Sequence, residues 1–427
     1  MHKFVVEGGH PLNGTVTPSG NKNEALPVLM ACLLTEESVT IKNMPKIRDV
    51  LTVCEILKKL GATVEWTSDD TVVVEAKNLT SHKPDPELCS KIRASMMLLG
   101  PLLARLGKIE LAMPGGDVIG ARRIDTHWEG LCALGAELKL ENGITGKLDK
   151  GVGTELYLDE PSVTATENLI ILASACEGVT TIYNAACEPH VVGLCRLLEG
   201  MGATIDGVGS NRLTINGRQK LTGTTHQIGP DFMEVGSFLC LGAITEGTIT
   251  IANVDQEAMR FPLKVFSKIG IQPQILDNSI IVSGGPSQLE MSSDITGRNA
   301  SIYSGPWPAF PSDLMSVAIL AATQSKGTMI FFEKMYEGRM FFTDKLLSMG
   351  ANIVLCDPHR VVITGPSPLY ATHMSSPDVR AGMTLLMAAL IAKGTSIIDN
   401  IYQIERGYAG IDKKLESLGA AIKRVDQ

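Results

Sequence analysis

One phrase recurs six times along the chain: an amphipathic helical stretch, a hydrophobic residue followed by glycine, then an alternating strand. It reads KKLGATVEW at 58–66, CALGAELKL at 132–140, EGMGATIDG at 199–207, SKIGIQPQI at 267–275, LSMGANIVL at 347–355 and ESLGAAIKR at 416–424. The glycines Gly61, Gly135, Gly202, Gly270, Gly350 and Gly419 are spaced by 74, 67, 68, 80 and 69 residues. In the first copy Val53, Leu57 and Leu60 share one helical face. Gly61 suits the left-handed position that ends a helix, and Thr63 to Trp66 alternate as a half-buried strand does. Ile411, Leu415, Leu418 and Gly419 repeat the arrangement. A second marker, TEESVTI at 35–41, returns as CEGVTTI (176–182), TEGTITI (245–251), SKGTMIF (325–331) and AKGTSII (392–398), with a degenerate RLGKIEL at 105–111. Together the markers predict six units of β-α-β-α-β-β form, too large and too mixed for a short solenoid repeat.

A chain of 427 residues exceeds what one core usually serves, so two clusters of three units are expected. The cut falls near TTHQIGPDF (224–232), where Gly229 and Pro230 interrupt the pattern. The start of the chain has strand-like pieces (Lys3 to Val6, Gly14 to Thr17) and no helix before Asn23, which suits completion of the second cluster. The expected domains are therefore 22–229 and 1–21 plus 230–427, with hinges near 20–22 and 229–231.

Several function classes are disfavoured. A net charge of −8 gives the whole chain no electrostatic footprint for nucleic acid. Nine cysteines form no CxxC pair, and Cys176, Cys187 and Cys195 lack zinc-ligand spacing, which fits reduced thiols in a cytoplasmic protein. The first apolar run, Phe4 to Val6, is too short for a signal peptide, and no apolar stretch reaches the ~18 residues of a membrane span. No GxxxxGK[ST] loop or HExxH occurs, and GVGSNR (207–212) lacks the third glycine of a dinucleotide fingerprint.

Chemistry is concentrated in MPGGDVIGARRIDTH (113–127). Asp117 lies on a glycine-flanked loop five residues before Arg122 and Arg123, with Asp125 and His127 close behind. Glycines let a backbone approach a ligand, and paired arginines can grip phosphate or carboxylate. In SGNKNEAL (19–26), Lys22 and Asn23 stand at a helix start, where free N–H groups favour anions. Asp313 follows a proline turn at another helix entrance. Glu337 and Arg339, Asp378 and Arg380, and Glu405 and Arg406 form three acid–arginine pairs. One such pair is usually a surface ion pair of little weight; three, two of them directly before helices, look less accidental.

SGNKNEALPVL, PGGDVIGARRIDTH, PSVTATEN (161–168), FPSD, YEGR, DVRAG and IERGY, in this order along the whole chain, resemble the enolpyruvyl transferases. They are more similar to the UDP-sugar branch than to the shikimate one. The resemblance implies an α/β fold of two inside-out barrels, each of three β-α-β-α-β-β units, with the active site in the cleft between them. It implies transfer of the enolpyruvyl group of phosphoenolpyruvate to the 3-hydroxyl of UDP-N-acetylglucosamine by addition and elimination, releasing phosphate. That is the first committed step of peptidoglycan synthesis, on which cell shape and division depend. It implies no metal or other cofactor, and a monomer.

Carried onto these positions, the resemblance gives Lys22, Arg122 and Arg406 the phosphate end of phosphoenolpyruvate. Arg339, Arg380 and Arg93 complete the cationic site, and Asp313 orients or deprotonates the sugar hydroxyl. Asn23 positions the sugar, while Arg122, Arg123, Ile124, Asp125 and His127, with Ser162, Val163 and Thr164, hold the UDP portion; Met335 joins the substrate contacts. Asp117 stands where most members carry cysteine, the general acid and the target of fosfomycin. Aspartate is a known variation there, and insensitivity to fosfomycin is the expectation. A carboxyl of pKa ~3.9 must be raised to donate a proton near neutrality. Arg123 replaces a common proline, and Phe232 stands where many carry arginine. The alternatives are a paralogue with another nucleotide or nucleotide-sugar acceptor, and a catalytically silent UDP-sugar sensor.

Overall fold

The computed structural model describes residues 2–116, 119–217 and 220–426. They divide into two compact units. One comprises residues 2–19, 119–121 and 230–426; the other comprises the described residues of 20–116 and 122–229.

All six repeat glycines adopt the left-handed conformation, with φ between 96° and 110°. The N–H after each glycine donates to the carbonyl five residues earlier: Ala62 to Leu57, Ala136 to Leu131, Ala203 to Leu198, Ile271 to Phe266, Ala351 to Leu346 and Ala420 to Leu415. This closes orphan carbonyls at a helix C-terminus and turns the chain into the following strand. The repeated phrase is thus a repeated helix stop.

The third repeat shows the full unit. Strand Glu155–Tyr157, helix Val163–Ala173, strand Val179–Tyr183, helix Pro189–Gly200 and strands Thr204–Asp206 and Arg212–Asn216 follow in order. The first strand pairs parallel with Val179–Tyr183, and the remaining pairs are antiparallel. Other repeats borrow a strand from a distant segment. Thr225–Gln227 supplies the parallel strand of the first repeat, beside Val39–Lys42. Leu12–Val16 supplies that of the fourth, beside Gly247–Ala252. His2–Glu7 lies between Thr395–Asp399 and Ala421–Asp426 in the sixth.

The second repeat departs from the expected form. Among the described residues its sheet has three strands, Lys108–Leu111, Ile144–Lys147 and Glu137–Leu140, with no parallel partner. The preceding segment carries Pro84 and Pro86, which have no N–H to donate. It contributes a bond from Glu110 N–H to the His82 carbonyl and then a short helix, Pro86–Cys89.

Each unit holds helices that are apolar all round. Phe232–Ile244, Ser312–Thr323 and Val379–Ile391 are buried along almost their whole length in the first unit, as are Lys22–Ala31 and Val163–Ala173 in the second. Such helices must be enclosed, and the sheets, with one face buried, enclose them. Helices inside and sheets outside invert the usual barrel. The second helices of the repeats, such as Arg48–Lys59, bury one stripe only, here Val50, Val53, Cys54, Ile56 and Leu57.

The chain near residues 20 and 230 uses one device twice. In the first unit Asp231 N–H donates to the Ser19 carbonyl (2.8 Å) and Ser19 N–H to Glu234 Oε2 (2.9 Å). In the second, Asn21 N–H donates to the Gly229 carbonyl (2.8 Å) and Gly229 N–H to Glu24 Oε2 (3.1 Å). Asp231 and Asn21 each cap the helix that follows, and the central helices start from these ties. No helix among the described residues is long and apolar enough to cross a membrane.

Candidate functional site

In the first unit two helix entrances and a turn meet at one carboxylate. Asp313 lies in the first turn of Ser312–Thr323. Its Oδ1 accepts from Arg339 Nη2 and its Oδ2 from Arg380 Nε, both at 3.0 Å. Arg380 Nη1 reaches Tyr408 Oη at 3.4 Å, and Tyr408 Oη is 3.0 Å from Ser237 Oγ. Arg339, Arg380 and Tyr408 are buried. Burial alone would lower the arginine pKa values, but Asp313 together with Asp378 and Glu333 around Arg339, and with Tyr408 and Asp231 around Arg380, outweighs it and holds both above the usual range. Burial raises the Tyr408 phenol, so it stays a neutral hydrogen-bonding group. Arg339 Nε is buried and has no hydrogen-bond partner. A buried donor left unpaired is costly.

The acids of the three expected acid–arginine pairs each have a partner elsewhere. Asp378 caps Val379–Ile391, accepting from Arg380 N–H (2.8 Å) and Ala381 N–H (3.0 Å), while Asp313 takes the Arg380 guanidinium. Glu337 Oε1 accepts from Ala121 N–H (3.0 Å), and Gly338 N–H donates to the Ile119 carbonyl (2.8 Å). Glu405 pairs with Arg424. Arg406 is buried at the C-terminus of the short helix Tyr402–Glu405, and its Nη1 donates to Gln403 Oε1 at 3.0 Å. Met335 is partly exposed, and its N–H donates to Glu333 Oε1.

In the second unit Lys22 is the first residue of Lys22–Ala31, one earlier than the sequence suggests. The cap is Asn21, whose Oδ1 accepts from Asn23 N–H (2.8 Å) and Glu24 N–H (3.2 Å). That leaves the half-buried Asn23 side chain out of capping. Lys22 Nζ is 2.7 Å from Asp49 Oδ2, both buried. Arg93 Nη2 donates to the carbonyls of Arg122 (2.7 Å) and Arg123 (3.1 Å), so it shapes the loop through its backbone. Arg123 is exposed, with Nε 3.7 Å from Asp125 Oδ2. Ile124 precedes the helix Asp125–Ala133. Ser162 caps Val163–Ala173, and Ser162, Val163 and Thr164 are half-buried. Asp117 lies outside the described residues.

His127 is a brace. Its Nε2 lies 3.0 Å from Thr164 Oγ1 and its Nδ1 lies 3.1 Å from Asn168 Nδ2. Asn168 Oδ1 accepts from Gly100 N–H, and Nδ2 also donates to the Met96 carbonyl. The amide orientation is thereby fixed, so Nδ1 accepts and Nε2–H donates to Thr164. Burial, then the Arg93 charge, lowers the imidazole to about 3. Between ~6.5 and that value the unfolded chain takes up a proton that the folded chain refuses. Stability therefore falls as pH drops through this window, by ~1.4 kcal/mol per pH unit for this one group. His127→Gln makes the acid-side decline in urea-unfolding stability shallower between pH 6 and pH 4; an unchanged slope contradicts the neutral brace.

The residues that sequence reasoning missed are partners: Asn21, Asp49, Asn168, Glu333 and Tyr408. Burial holds the Cys54, Cys89 and Cys195 thiols up to about 12 and Cys176 up to about 11, so they stay protonated near neutrality.

Comparison with known proteins agrees with this arrangement. The family model for EPSP synthase (3-phosphoshikimate 1-carboxyvinyltransferase) matches residues 6–415. The chain is 51% identical over 426 residues to a UDP-N-acetylglucosamine 1-carboxyvinyltransferase from Borreliella burgdorferi, covering 100% of this chain and 99% of that one. It is 48% identical over 425 residues to the protein of that name from Bradyrhizobium diazoefficiens, covering 100% and 98%. Among solved structures, the enolpyruvyl transferase NikO from Streptomyces tendae shares the fold at a TM-score of 0.89 and 21% identity, covering 99% of each chain. EPSP synthase from Acinetobacter baumannii shares it at 0.73 and 17%, covering 100% of each. The chain belongs to the enolpyruvyl transferases, and within them to the family of the UDP-N-acetylglucosamine 1-carboxyvinyltransferases.

Proposed function

We propose that this protein transfers the enolpyruvyl group of phosphoenolpyruvate to the 3-hydroxyl of UDP-N-acetylglucosamine, releasing phosphate, as the first committed step of peptidoglycan synthesis. The observation that carries the reading is the buried Asp313–Arg339–Arg380 cluster in a chain about half identical to enzymes of that name over its full length. Two guanidiniums hold one partly exposed carboxylate between them, an arrangement that fixes a base beside groups able to bind anionic substrates. Preorganised cations facing developing charge are commonly the largest catalytic contribution.

In the addition step C3 of phosphoenolpyruvate gains a proton, the sugar oxygen bonds to C2, and the hydroxyl loses its proton. In the elimination step C3 returns a proton, the C2–O bond to phosphate breaks, and inorganic phosphate leaves. Asp117 is the acid toward C3 in this reading, and Asp313 orients and deprotonates the hydroxyl. Lys22, Arg122 and Arg406 hold the phosphate, with Arg339, Arg380 and Arg93 completing the positive set. Asn23 fixes the sugar and Met335 adds a substrate contact. Arg123, Ile124, Asp125, Ser162, Val163 and Thr164 hold the UDP portion, with His127 supporting Thr164 from beneath. The enzyme acts as a cytoplasmic monomer whose two domains are those expected from the sequence, 22–229 and 1–21 plus 230–427, except that residues 20–21 join the former and 119–121 the latter.

An acceptor panel tests the assignment. Phosphate release with UDP-N-acetylglucosamine and none with shikimate 3-phosphate is the expected result. Release with a different nucleotide acceptor alone overturns it in favour of a paralogue.

A further inference from the structure

Four of the six repeats leave their central strand through an asparagine in the left-handed conformation. Asn43, Asn184, Asn253 and Asn400, with φ between 53° and 58°, directly follow Val39–Lys42, Val179–Tyr183, Gly247–Ala252 and Thr395–Asp399. Asparagine tolerates that conformation better than other side-chain-bearing residues. In the fifth repeat the residue after the strand Gly327–Phe332 is instead Glu333, with no exposed surface. Burying a carboxylate is costly unless it is well bonded, so a turn alone does not account for it.

The Glu333 carboxylate makes two ties. Oε2 accepts from Ser312 Oγ at 2.8 Å and Oε1 from Met335 N–H at 2.7 Å. The backbone is fixed from a third side, where Glu333 N–H donates to the His359 carbonyl (2.8 Å) and His359 Nδ1 to the Glu333 carbonyl (2.7 Å). Ser312 is the neighbour of Asp313 in the first turn of its helix, and Met335 opens the segment that leads to Arg339. Glu333 also acts on the Arg339 charge, together with Asp313, Asp378 and Tyr336.

We propose that Glu333 is a positioning residue for the transfer reaction: one buried carboxylate ties the helix entrance bearing Asp313 to the segment bearing Arg339, and so sets the geometry and charge of that pair. The proposal rests on the reading that Asp313 takes the acceptor's proton. It separates two effects that a mere turn residue would not have. One is alignment, because a displacement of about 1 Å at a reacting pair can cost ~100-fold in rate. The other is charge, because an anion beside Arg339 offsets the pull of that guanidinium on Asp313.

Three variants, assayed by phosphate release against pH, test it. Glu333→Gln keeps the shape and removes the charge. Its kcat falls ~10–100-fold with KM for UDP-N-acetylglucosamine within about twofold, and the acid limb of the kcat profile moves to lower pH. Ser312→Ala keeps the charge and removes one tie, so kcat falls less and the limb stays in place. Glu333→Asn, the residue that four of the other five repeats carry at this place, folds with near-wild-type thermal stability but does not recover kcat. Wild-type kcat in Glu333→Asn, or an unmoved acid limb in Glu333→Gln, overturns the proposal. A wild type that releases no phosphate overturns the functional reading as well, which separates the two failures.

Discussion

Replacing Asp313 by asparagine lowers phosphate turnover by ~10²–10⁴-fold, the range expected when a positioned general base is removed. The geometry makes the substitution severe although it is nearly isosteric. Both carboxylate oxygens accept from guanidinium groups at 3.0 Å. An asparagine keeps one acceptor and turns an NH₂ donor toward the other arginine, which also can only donate. Arg339 and Arg380, both buried, then lose their shared counter-charge. Breaking a buried ion pair from one side typically costs ~3–5 kcal/mol; Asp313 is about a quarter exposed, so water moderates the loss. The melting temperature falls accordingly, and added inorganic phosphate recovers part of it by binding the uncovered arginines. Turnover within a few-fold of wild type would show that Asp313 only organises the arginines.

Asp117→Asn abolishes turnover to a comparable degree, ~10²–10⁴-fold, because the amide has no proton of suitable acidity for C3. Asp117→Cys retains turnover, since a thiol of pKa ~8.5 is a competent acid near neutrality. The two forms part company with fosfomycin. The wild type resists time-dependent inactivation, because a carboxylate is a far poorer nucleophile toward an epoxide than a thiolate, and Asp117→Cys is inactivated. Inactivation of the wild type would contradict the role given to Asp117. Turnover by Asp117→Asn at the wild-type rate would place the acid elsewhere.

Much of the fold could be read from the sequence because its key signal is local. A left-handed helix stop favours glycine whatever surrounds it, so six glycines at near-constant spacing mark six helix ends independently of packing. The second repeat was harder, since RLGKIEL resembles the marker while Pro84 and Pro86 upstream remove the parallel strand. The four left-handed asparagines were equally local but went unread, because asparagine occupies many other places.

The site was legible in part. Helix-entrance residues such as Lys22, Asp313 and Arg380 stood out because they interrupt apolar patterns. Their partners did not, because those contacts depend on how helices pack. Lys22 meets Asp49, Arg380 meets Asp313 and Tyr408, and His127 meets Asn168, each across a gap in sequence longer than a helix. The adjacent acid and arginine in DVRAG look like a pair, yet the acid is a cap and the arginine reaches to another helix. Chain proximity misleads there because an acid just before a helix is drawn to the free N–H groups of its first turn.

The most direct test is product analysis with purified protein, phosphoenolpyruvate and UDP-N-acetylglucosamine, following phosphate release alongside the mass of the nucleotide sugar. The expected result is one phosphate released for each UDP-sugar that gains an enolpyruvyl group, with no release when the sugar is omitted. Tight binding of the UDP-sugar with neither phosphate nor new product would contradict it and leave a protein that recognises the nucleotide sugar without transforming it.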